Sequence, residues 1–130
     1  MGPLYEGGAK MLTQVSWVAL LLVHVIPALA LFRPALITKL YRVEATSPLF
    51  LLFQHRAALF LVVCLICVWA AVRPEVRQLA TCAVGFSMLS FLWLFWAAGS
   101  PPSLRSIALV DLIGLPFLAY VAWQALKPVG

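Results

Sequence analysis

The chain has 130 residues, of which 65% are hydrophobic and 10% charged, and its mean hydropathy is +1.06. A soluble domain carries about 25% charged residues, so this composition excludes a water-soluble enzyme or binding module and predicts an integral membrane protein. The net charge of +5 comes from basic residues set singly between apolar runs, which is the pattern of span flanks and not of a nucleic-acid surface.

A spanning helix needs roughly 20 residues, so the length leaves room for about four spans and short connections. The predicted fold is an all-α, up-down bundle of four transmembrane helices forming a single domain over residues 12–127. Residues 1–11 are polar and Gly-rich and read as a disordered tail, with Met11 as an alternative initiator. The first span is predicted over 12–32, between Lys10 and Arg33. A signal peptide is the rival reading, with Lys10 as its basic region and Ala28-Leu29-Ala30 as its cleavage site.

Residues Arg33 to Ser47 are too charged to span, and their apolar positions alternate with Arg33, Lys39 and Arg42. They predict a short amphipathic helix lying in the membrane interface. Thr46-Ser47-Pro48 is a helix start, because serine caps and proline suits the first turn. The second span then runs over 48–72, and Arg73-Pro74-Glu75-Val76-Arg77 turns the chain. The third span is predicted over 78–98, with Trp93 and Trp96 as interface anchors. Gly99-Ser100-Pro101-Pro102-Ser103 stops it, and the fourth span runs over 104–126.

Both termini of an even-numbered bundle lie on one side. That side carries Lys10, Arg73, Arg77 and Lys127, and the other carries Arg33, Lys39, Arg42 and Arg105. The charge balance gives the positive-inside rule little to act on.

Ionisable groups inside a span cost about 2.5–3.5 kcal/mol each on insertion scales. Four stand in the predicted spans: His24, His55, Arg56 and Asp111. At 1.5 Å of rise per residue, His24, Arg56 and Asp111 lie roughly 12, 12 and 9 Å below one common face of the bundle. Arg56 and Asp111 are the only opposite charges at that depth, which predicts a salt bridge between them, with His24 or His55 beside it. His55 and Arg56 are neighbours about 100° apart on the helix, so at most one faces the centre. Gln54, Ser87 and Ser90 are possible contributors at similar depth.

The remaining signals are weak. Cys64-Leu65-Ile66-Cys67 spells a CxxC, but it sits mid-span without the water access a thiolate needs, and it reads as packing. Gly85 and Gly114 permit close helix approach, and Pro27 and Pro116 can bend their helices. His24, His55 and Asp111 make a conceivable three-ligand metal set, but Arg56 would repel the cation. No metal and no cofactor is expected.

Leu40-Tyr41-Arg42-Val43, Gln54-His55-Arg56-Ala57-Ala58 and Asp111 resemble a group of small bacterial four-helix membrane proteins loosely related to the DoxX-like family. The family pattern often has Gly where this chain has Arg42. The resemblance implies a bacterial inner-membrane protein, and some DoxX-like members are linked to quinone or thiol oxidation complexes. Chains of this kind are sometimes labelled phosphopantetheine adenylyltransferase, a soluble α/β enzyme with an HxGH motif that this sequence lacks.

Three functions follow as expectations. The leading one, favoured over an enzyme, is an accessory or stabilising membrane subunit with the His24, His55, Arg56 and Asp111 cluster at its centre, and membrane lipid, another membrane protein or a second copy are the expected partners. The alternatives are a small proton-coupled transporter, and a membrane enzyme or quinone-binding protein in which His and Arg polarise a carbonyl.

Overall fold

The computed structural model describes residues 3–127, with side chains from residue 7 onward. It contains five α-helices: α1 (Pro3–Leu29), α2 (Ala35–Tyr41), α3 (Pro48–Val72), α4 (Arg77–Ala97) and α5 (Arg105–Leu126). All but α2 are long and apolar enough to cross a membrane, and there is no strand among the described residues.

The boundaries follow local chemistry. At the start of α3 the Ser47 hydroxyl accepts a hydrogen bond from the Leu49 N–H at 3.2 Å, and Pro48 occupies the first turn. Such a cap satisfies one of the donors that a helix start leaves free. At the other end of α3, the Arg77 guanidinium donates to the Ala70 carbonyl at 2.7 Å and the Ala71 carbonyl at 3.2 Å. Helix α4 ends in a Schellman turn. Ser100 N–H donates to the Phe95 carbonyl and Gly99 N–H to the Trp96 carbonyl, with Gly99 at φ +85°. Helix α2 ends on Arg42 at φ +57°, a left-handed conformation that glycine adopts at less cost.

Two predicted features are corrected. The N-terminal segment read as a disordered tail is helical from Pro3, while residues 1 and 2 lie outside the described residues. Once an apolar span has nucleated a helix, adding residues to its end is cheap. The Tyr120 hydroxyl also ties this segment down by donating to the Ala9 carbonyl at 3.5 Å. The first helix ends at Leu29 instead of running to Phe32, and turn hydrogen bonds from Ala30 to Arg33 close it.

In the bundle α1 packs on α3 and α5, and α4 packs on α5 and α3. Two apolar clusters form the core. One joins Trp17 and Leu20 of α1, Cys67 and Ala70 of α3, Ala80, Val84 and Met88 of α4, and Leu118 and Val121 of α5. The other joins Ala30, Ile37, Tyr41, Ala57 and Ile107. Along α1 and α5, His24 and Asp111 lie between the residues of these two clusters, so the polar groups occupy the layer that separates them.

Candidate functional site

His24 is fully packed, at 1% exposure. Its Nδ1 lies 2.8 Å from the Leu20 carbonyl of the preceding turn. A carbonyl only accepts, so Nδ1 carries the proton in this contact. The ring is tilted against Phe60 of α3, with centroids 5.8 Å apart. The histidine is thus held by its own helix and by an aromatic neighbour.

Arg56 contacts the same phenylalanine. Its guanidinium carbon sits 4.8 Å from the Phe60 ring centroid, 5.2 Å from Phe91 of α4 and 5.9 Å from Tyr41 of α2. Tyr41 is in turn stacked on Phe53 at 4.4 Å. Three ring faces around one cation supply electrostatic attraction from their quadrupoles. They accept none of its in-plane N–H bonds. The Nε of Arg56 is buried without a hydrogen-bond partner, and none of the hydrogen bonds among the described residues involves its guanidinium.

The predicted Arg56–Asp111 salt bridge is not formed. The one ion pair within 4.0 Å among the described residues is Arg73–Glu75, at 3.8 Å on the exposed turn. Asp111 is buried at 9% exposure and makes no hydrogen bond among the described residues. It lies in the wall of an apolar cleft of about 160 Å³ formed with Val23, Ile26 and Pro27 of α1, Leu40 of α2 and Phe60 of α3. Phe60 also lines a second cleft, between α3 and α4, of about 240 Å³. Arg56 opens onto this second cleft with Ser87 and Ser90. The aromatic ring is shared by the two clefts, and the arginine's direct contacts are aromatic rings instead of the predicted carboxylate.

The other candidates separate. His55 is exposed on the outside of the bundle and does not join His24 and Asp111. Among the described residues, no group of three His, Cys, Asp or Glu side chains stands close enough to hold a metal. Gln54 is half-buried, and no hydrogen bond among the described residues involves its side chain. Cys64 and Cys67 are buried and free, and Cys82 is free and exposed.

Sequence reasoning missed the aromatic cage. Phe60 was findable, since it stands four residues after Arg56 on one helix face. Tyr41 and Phe91 come from other helices, and nothing in their local sequence marks them.

No family model, no curated protein and no solved structure matches the chain.

Proposed function

We propose that the chain is an accessory subunit that stabilises a larger assembly in a bacterial inner membrane. In this reading it is a DoxX-like up-down bundle, with α2 lying in the interface and both termini in the cytoplasm. The supporting observation is His55. It stands seven residues into α3, roughly 10 Å along the helix, yet its side chain is exposed on the outer face. Its neighbours on that face, Leu51, Leu52, Leu59 and Val62, are 49–70% exposed. An imidazole turned outward within a span is costly in lipid, where ionisable groups almost always face protein or a water-filled cavity. A covering membrane protein would remove that cost. By contrast His24 is already held by packing contacts inside the bundle.

The test is assembly size. Gently solubilised from its own membranes, the chain should run in a complex with a second polypeptide at fixed stoichiometry. The substitution His55→Leu should reduce that complex at least tenfold. Cys82→Leu, on the exposed face of α4, should leave it intact. A chain that runs alone, or only with copies of itself, overturns the accessory reading.

One observation favours a second reading, a small proton-coupled transporter. Asp111 is a buried carboxyl in an apolar cleft, without a hydrogen-bond partner among the described residues. In that case Asp111→Asn should abolish proton-driven uptake or efflux in reconstituted vesicles while the helical content is unchanged. Undiminished transport in the variant would remove Asp111 from the mechanism.

A further inference from the structure

The α3–α4 cleft combines three features. The first is a cation with unmet donors. The guanidinium of Arg56 offers five N–H groups. Its contacts are ring faces, and its Nε is enclosed without an acceptor. Glu75 is engaged by Arg73, and Asp111 does not come within 4.0 Å of Arg56. The second feature is hydroxyls beside the cation. Ser87 and Ser90 line the same cleft. The Ser90 hydroxyl donates to the Ser87 carbonyl at 3.1 Å, and the Ser87 hydroxyl makes no hydrogen bond among the described residues. The third is an apolar trough leading away from the charge. Leu59 and Val63 of α3 and Phe86 of α4 continue the cleft. From Arg56 to Val63 the trough extends roughly 10 Å along α3.

A planar guanidinium removed from water selects an oxyanion that can accept two parallel N–H bonds. The trough beyond it selects a hydrocarbon chain. Depth narrows the choice. Arg56 stands eight residues into α3, roughly 12 Å along the helix, whereas the phosphodiester of a bilayer lipid carries a polar headgroup that stays at the surface. A single-chain carboxylate carries no polar group beyond the oxyanion that Arg56 itself would receive. We propose that this cleft binds a long-chain fatty acid, with its carboxylate on Arg56 and the Ser87 hydroxyl and its chain along Leu59, Val63 and Phe86. This site is independent of the accessory role, since it lies in the purified chain alone.

The experiment uses the full chain in phosphatidylcholine nanodiscs with carboxyl-labelled ¹³C-hexadecanoate as probe. A saturable bound carboxyl resonance, distinct from that in empty nanodiscs, is the expected result. Hexadecan-1-ol should compete at least tenfold more weakly than unlabelled hexadecanoate. Arg56→Gln should weaken binding at least tenfold. Ser87→Leu, which fills the cleft and keeps the charge, should do the same and serves if the arginine variant loses its helical circular dichroism. Three outcomes overturn the proposal: no saturable resonance, equal competition by the alcohol, or unchanged binding in a folded variant. Displacement of hexadecanoate by phosphatidylglycerol at matched concentration also overturns it, because the site would then read a phosphodiester.

Discussion

Trp17→Ala should lower the stability of the bundle by about 3 kcal/mol, the low end of the range for aromatic-to-alanine changes in soluble cores. Trp17 is 0% exposed and belongs to the cluster that joins all four long helices. Its loss leaves a cavity in that cluster. The low end applies because transfer between lipid and a protein interior supplies little hydrophobic drive, so the penalty is mostly lost packing. The indole Nε1 has no hydrogen-bond partner, so a variant that keeps an aromatic ring and discards the N–H gives the contrast. Trp17→Phe should recover most of the loss. Equilibrium unfolding in mixed micelles, followed by circular dichroism, measures both. Equal losses for the alanine and phenylalanine variants would show that Trp17 is not the packing hub described.

Gly114→Ala should cost about 1–3 kcal/mol, the usual range for overpacking, although it adds one methyl group to a helix. A Cβ at that position would meet the Met88 Cε at 2.8 Å and the Val23 Cγ2 at 3.1 Å. The methionine end can swing aside, but the valine is stiff at χ1, so α1 itself must yield. Gly85 is the internal control. A Cβ there finds Leu118 at 3.7 Å, ordinary contact distance, so Gly85→Ala should be near neutral or mildly stabilising. Both glycines read alike in sequence as small residues on packed helices. A comparable loss at the two positions would contradict the close α1–α5 approach at Gly114.

Much of the architecture was legible because the chain punctuates its apolar runs with strong local signals. Ser47-Pro48 and Arg73-Pro74 bracket α3, and the helix occupies the bounds they imply. Gly99 and Ser100 close α4 in the same way. The tail misread arose because Gly7 and Gly8 lower helix propensity, whereas continuity with an already formed helix outweighs that local preference.

The polar layer was legible in depth but not in pairing. Helix rise alone brings His24, Arg56 and Asp111 to one level. It does not say what else stands there, and at 4.8 and 5.2 Å the rings of Phe60 and Phe91 occupy the arginine's surroundings. Adjacent positions 100° apart required that one of His55 and Arg56 turn outward. Which one does so depends on aromatic partners carried by other helices. Arg42 is a related case. Its left-handed φ of +57° is a conformation that nothing in the local sequence announces, since arginine stands where glycine would suit.

The clamp from Arg77 onto the last carbonyls of α3 bears on how the protein reaches its membrane. It joins residues only six and seven apart, so it is available as soon as the turn leaves the ribosome, before α5 exists. The last carbonyls of α3 thus have their partner from the bend itself and need no later helix to satisfy them. The bend therefore carries its own helix stop, in a side chain that belongs to the following helix.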